Sequence, residues 1–170
     1  MCSYLLHQPF STTLALIDIA SLRPHMWVSG YAIQAFLNSL YILDDPATCR
    51  FSGTVLPPSF YSQLIADAST DPLKRNIYNF QNVRAYLDKY NNSLFASDII
   101  VLIHLRLCLH WSLAIIFPDT CELMLIDSYP NKDLYEITQI LLQWLQDTHI
   151  ARNMPFNSAS WTVVSKRPSR

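Results

Sequence analysis

His110-Trp111-Ser112-Leu113-Ala114-Ile115-Ile116-Phe117, then Pro118-Asp119-Thr120, then Leu123-Met124-Leu125-Ile126-Asp127-Ser128: the fold turns on this stretch. Two short apolar runs flank a proline-led turn, as expected of two neighbouring strands in a hairpin. His110 heads the first run and Asp127 closes the second, 17 positions later. Paired strands lie about 4.8 Å apart, so the two side chains can meet at one edge of a sheet. An aspartate on one imidazole nitrogen orients the ring and stabilises its protonated form. The other nitrogen can then deprotonate a thiol. Spacing alone leaves a structural pair and a catalytic pair both open.

Working outward, Asp98 to Leu105 is another nearly continuous apolar run. Such runs, lacking clean alternation, predict strands buried on both faces. Upstream, Ile33, Phe36, Leu37, Leu40 and Tyr41 follow helical spacing from an N-cap at Ser29, and Asp44-Asp45-Pro46 stops that helix. Residues 46–58 read as loop. Helices are expected from about Ser59 to Ala68 and from Asp71 or Pro72 to Tyr90, where Asn91-Asn92-Ser93 ends the second. After the hairpin, Leu134, Ile137, Ile140, Leu141, Trp144 and Leu145 mark a helix to about Asp147, and Trp161 to Val164 a short strand. The order is that of one α+β domain over residues 1–170. A sheet covered on both faces needs helices on each side, and this sequence stops soon after a strand, so an incomplete architecture is expected.

Composition narrows the function. At 170 residues with 51% hydrophobic and 15% charged side chains, the chain is globular rather than disordered. A net charge of -1 offers no reason to expect nucleic acid or an acidic membrane as a partner. Gly30 and Gly53 are the only glycines, which excludes glycine-rich phosphate loops. Cys2, Cys49, Cys108 and Cys121 show no zinc spacing and read as reduced thiols, so no cofactor is expected and the expected compartment is nucleus or cytoplasm. Ile99 to Phe117 imitates a membrane span, but an arginine at a helix centre costs about 2.5–3.5 kcal/mol and Arg106 sits near the middle. Strands are the better reading of this β-branched stretch.

The segments Phe95 to Ile103, His110 to Ile116 and Leu125 to Ser128 together resemble the ubiquitin-like-protein-specific cysteine proteases. This is the SUMO (sentrin)-specific protease family, related to the adenovirus protease. Its members show an apolar strand, a His-Trp opening the next strand and an Asp-Ser closing the third. Trp27 with the helix behind it is similar to the family's tryptophan-led first motif, and the resemblance runs from Trp27 to Trp161. It implies a papain-like, adenovirus-protease-like fold with a central, mostly antiparallel sheet flanked by helices. It implies His110 as general base, Asp127 as its orienting partner, and Trp27 and Trp111 as walls of a narrow passage for the Gly-Gly tail of a SUMO-like modifier.

The departures matter equally. The family's first motif usually continues Trp-Leu-Asn-Asp, whereas this sequence has Trp27-Val28-Ser29-Gly30. The family order is His, Asp, Gln, Cys, and after Asp127 this sequence holds no further cysteine. Cys108, two residues before His110, reads as a small buried hydrophobe rather than a substitute nucleophile. Three readings follow: an isopeptidase sequence clipped before its Gln and Cys and inactive as it stands, a modifier-binding module that does not cut, or a gene fragment without function. Loss of a cysteine-bearing helix would expose several hundred Å² of apolar sheet, on the order of 10 kcal/mol at about 25 cal/mol per Å².

Overall fold

The computed structural model describes residues 14–43, 53–65, 78–90, 94–105, 110–128 and 134–166. Five strands form one sheet in the order β1 (Gly53–Val55), β2 (Asp98–Leu105), β3 (His110–Phe117), β4 (Glu122–Ile126) and β5 (Thr162–Lys166). Central strand β3 pairs antiparallel with both β2 and β4, while the outer strands β1 and β5 pair in parallel with β2 and β4. The helices are α1 (Leu16–Ala20), α2 (Gly30–Leu43), α3 (Phe60–Leu64), α4 (Arg84–Tyr90) and α5 (Leu134–Ala151). This is the expected α+β arrangement with helices packed on a sheet, but the sheet is mixed rather than mostly antiparallel, with two antiparallel and two parallel pairings.

Sheet and helices meet in one core. Ile99, Val101 and Ile103 of β2, Ala114 and Ile116 of β3, and Leu123 and Leu125 of β4 point to the same side and are buried. Against them pack Phe60 and Leu64 of α3 and Ile137, Leu141, Trp144 and Leu145 of α5. Trp144 meets Phe60 edge to face, centroids 5.0 Å apart at 72°, a favoured aromatic geometry. The opposite face is only half-buried: Ile100, Leu102, Leu113, Ile115, Met124 and Ile126 alternate with the core residues. The expectation of strands buried equally on both faces is thereby corrected. These apolar runs are two-sided in composition, but their burial has the period of two typical of one well-covered face.

Several boundaries also differ from the sequence reading. Residues 53–55, read as loop, form the edge strand β1, for which the β-branched Thr54-Val55 was the only local signal. The helix expected to 68 stops at Leu64, because Ile65 leaves helical geometry (φ -109°, ψ 15°) and the Leu64 carbonyl accepts from Asn79 N at 2.8 Å. The continuous helix expected from 71 or 72 to 90 does not pass through Tyr78 and Asn79. Asn79 is extended, and its side chain caps a 3-10 turn, Phe80–Val83, that leads into α4. Helix α5 runs four residues past Asp147 and ends before Asn153, whose φ of 54° is the left-handed turn that asparagine tolerates after a helix. The span-like stretch 99–117 contributes β2 and β3, and among the described residues no helix is long and apolar enough to cross a membrane.

Removing the largest core side chain should show how far one hydrophobic cluster supports the domain. Trp144→Ala is expected to cost about 3–5 kcal/mol in urea unfolding. Asp98 offers a pH test. Partial burial and the nearby Asp119 carboxylate push its pKa up. A carboxyl raised above its unfolded value holds its proton more tightly when folded, so stability falls as pH climbs from the unfolded value through the folded one. Asp98→Asn should therefore raise Tm at pH 7 and lose that gain near about pH 3, below the ordinary carboxylate range. An equal gain at both pH values would defeat this.

Candidate active site

The register of β3 on β4 builds the site. Leu113 pairs with Ile126, so one step further along the ladder Ser112 stands opposite Asp127, with His110 diagonal to it on the same side. Diagonal neighbours on one sheet face are within reach of long or aromatic side chains. His110 Nε2 lies 2.6 Å from Asp127 Oδ1. An ionised carboxylate can only accept, so in this bond Nε2 carries the proton. Ser112 Oγ donates to Asp127 Oδ2 at 2.7 Å, and Asp127 N donates to the Lys166 carbonyl of β5 at 3.2 Å. The carboxylate is 3% exposed and the imidazole 21%. A buried acid is thus matched at both oxygens beside a ring that still reaches solvent, a setting in which a burial penalty is met by hydrogen bonds.

Trp111 alternates to the other side of β3. There its ring lies against His104 of β2, centroids 4.5 Å apart, and its indole Nε1 donates to the Val28 carbonyl at 3.1 Å. A Cβ on Gly30 would stand 3.2 Å from Pro58 Cβ and 3.5 Å from Trp111 Cη2, so absence of a side chain lets the indole lie on the start of α2. Trp27 itself is 62% exposed. The structure therefore brings His110 to Asp127 and Trp111 to the residue after Trp27, while the Trp27 ring projects outward. Ser112 was not singled out in the sequence, although its place two residues after His110 and opposite Asp127 would have found it. Cys108 lies outside the described residues. Cys121 sits in the β3–β4 turn with φ 52°, at the far end of an eight-residue strand from His110, more than about 20 Å at about 3.3 Å per residue. Among the described residues no group of three or more His, Cys, Asp or Glu side chains could hold a metal ion.

Comparison with known proteins agrees with the sequence resemblance. No family model matches the chain. Sentrin-specific protease 2 of Pongo abelii is 29% identical over 170 residues, 96% of this chain and 25% of that protein. The chain is similar in sequence to a sentrin-specific protease. The SUMO protease Ulp1 with its catalytic cysteine oxidised to a sulfinic acid superposes with a TM-score of 0.67 at 17% identity, covering 95% of this chain and 65% of the other. A de-sumoylating protease gives 0.68 at 18%, covering 89% and 58%. The C-terminal Ulp1 protease domain in complex with Smt3, the yeast ortholog of SUMO, gives 0.66 at 18%, covering 91% and 62%. The fold is therefore that of the Ulp1-type proteases. The chain spans about a quarter of the curated relative and less than two thirds of these solved chains.

The His110–Asp127 contact can be weighed directly. A double-mutant cycle of His110→Ala and Asp127→Ala, read by urea unfolding, should give a coupling of about 1.5–3 kcal/mol, the range for a hydrogen bond to a charged group. Additive effects would mean that the pair is in proximity without interacting.

Proposed function

We propose that residues 1–170 form one domain carrying the base, the orienting acid and the tail-binding walls of a cysteine-type peptidase site for a SUMO-like modifier. His110 is the general base. Asp127 holds its Nε2 proton and stabilises the imidazolium, leaving Nδ1 to take the proton of a thiol. Were a cysteine thiol supplied beside this ring, its thiolate would attack the carbonyl carbon of the modifier's terminal glycine, and the imidazolium would return the proton to the departing amine. Water would then hydrolyse the resulting thioester and regenerate the thiol. Trp111 and Trp27 flank the tail, where flat rings suit two residues without side chains and exclude bulkier ones sterically. The 2.6 Å contact between His110 and Asp127, with the acid's second oxygen held by Ser112, carries this reading.

In this proposal none of the four cysteines of these residues is the nucleophile, so the 170-residue polypeptide grips a tail without cutting it. Cys121 is set aside by its distance from His110. Cys2, Cys49 and Cys108 have no mechanistic placement in the sequence. Nuclear or cytoplasmic residence follows from the same reading.

Two measurements test it. Titration of the 170-residue polypeptide with a modifier ending in Gly-Gly should show binding that weakens about tenfold or more in Trp111→Ala, in keeping with an anchoring aromatic. Absence of any binding removes the reading. A SUMO-fusion substrate should remain uncut; cleavage that disappears with His110→Ala and persists with Cys108→Ala would show that the account of the nucleophile is wrong.

A further inference from the structure

Helix α1 has an inverted polarity. Its apolar side chains Leu16, Ile17 and Ile19 are exposed, whereas Asp18 and the adjoining Ser21 are buried. Burying a carboxylate in a five-residue helix costs stability unless its oxygens are matched, and here they are. Asp18 Oδ2 accepts from Ala15 N at 2.9 Å and Oδ1 accepts from Ser29 Oγ at 2.8 Å. Ser21 Oγ donates to the Asp18 carbonyl at 2.6 Å and accepts from Ser29 N at 3.0 Å. Ser29 Oγ also accepts from Ala32 N at 3.1 Å and so caps α2. Ser29 is thus gripped at its amide by Ser21 and at its hydroxyl by Asp18.

The amide of Ser29 and the carbonyl of Val28 belong to one peptide unit. A trans peptide is planar, and its N–H and C=O point in opposite directions. The N–H of this unit ends on Ser21, and its C=O accepts the indole N–H of Trp111 at 3.1 Å. The plane is therefore held from both sides, and tilting it at Ser21 must tilt the acceptor on which Trp111 rests. The ring is also bounded at its edge by Gly30, where a Cβ would stand 3.5 Å from Trp111 Cη2.

We propose that Asp18 and Ser21 are positioning residues that set the Trp111 indole through the Val28–Ser29 peptide plane, and with it the width of the passage for a Gly-Gly tail. The tail part rests on the functional reading above; the positioning part does not.

The experiment reads the two parts separately in the 170-residue polypeptide. Solvent exchange of the Trp111 indole N–H, assigned by its loss in Trp111→Phe, should accelerate about tenfold in Ser21→Ala and in Asp18→Ala, the loss of one hydrogen bond. Ser21→Thr, which keeps the hydroxyl, should restore it, with amide protection in β3 and β4 unchanged throughout. In parallel, the ratio of affinities for a SUMO-like modifier with and without its last two glycines should fall about tenfold in Ser21→Ala and recover in Ser21→Thr. General loosening of the fold would weaken both affinities and leave their ratio alone. An indole exchange rate that stays at the wild-type value in Ser21→Ala overturns the positioning role, even where Asp18→Ala fails to fold. Released indole exchange with a wild-type ratio of one upholds the positioning role and removes the tail-binding reading instead.

Discussion

The pairing register of β3 with β4 is the constraint from which the site follows. Because side chains alternate with a period of two, a slip of one residue would send every core side chain of β4 to the half-buried face and carry Asp127 away from His110. The same register buries Leu123 and Leu125 beside Ile116 and Ala114. Hydrophobic burial and the acid–base pair thus select one alignment, and neither can be satisfied by another. The turn at Pro118 to Cys121 closes this hairpin with a residue in the left-handed region at Cys121, a strain of order 1 kcal/mol that the ladder on both sides sustains.

Three carboxylates are held in closed hydrogen-bonded sets. Asp127 is bonded by His110 and Ser112, and Asp18 by Ala15 and Ser29. A third set joins Tyr78, whose hydroxyl donates to Asp147 Oδ2 at 2.6 Å, with Gln143 on the other oxygen at 3.1 Å. Burial and that acid push the Tyr78 pKa upward, so it stays a donor. In each set both carboxylate oxygens are occupied, which for the buried Asp127 and Asp18 is what makes burial tolerable. Structural and functional acids are therefore indistinguishable by satisfaction alone. What separates Asp127 is its partner: an imidazole can pass a proton onward, whereas a tyrosine or a serine of ordinary pKa does not at neutral pH.

Much of this was legible in the sequence. The three central strands, the helices at 30–43 and from 134, and the approach of His110 to Asp127 follow from apolar periodicity and a turn with clear chemistry. The misses share a cause. β1 is three residues long and takes its identity from pairing with β2, a non-local event with little local signature. The break at Asn79 and the early stop of α3 depend on one tertiary hydrogen bond between them. Asp18 had no local signature, because its partner Ser29 lies 11 residues away. The exposure of Trp27 had no signature in the sequence, because position in a motif does not say which side of the backbone a side chain takes.

The last strand ties the fold to the site in a way composition could not reveal. β5 runs parallel to β4, with Lys166 beside Ile126, and the Lys166 carbonyl accepts the amide of Asp127 itself. Asp127 is therefore fixed by its backbone from β5 and by its side chain from β3. Strand β5 buries little: Val163 is exposed, and the other residues of the strand are exposed or half-exposed. Its contribution is consequently less to the hydrophobic core than to alignment, since an edge strand held by ladder hydrogen bonds stiffens the strand it flanks. Without that flank, β4 would end the ladder, and Asp127 would sit on a fraying terminus where local opening is easiest. Pairing on both sides moves the acid from the edge of the sheet toward its interior, and that rigidity, more than any added attraction, holds the carboxylate on the imidazole.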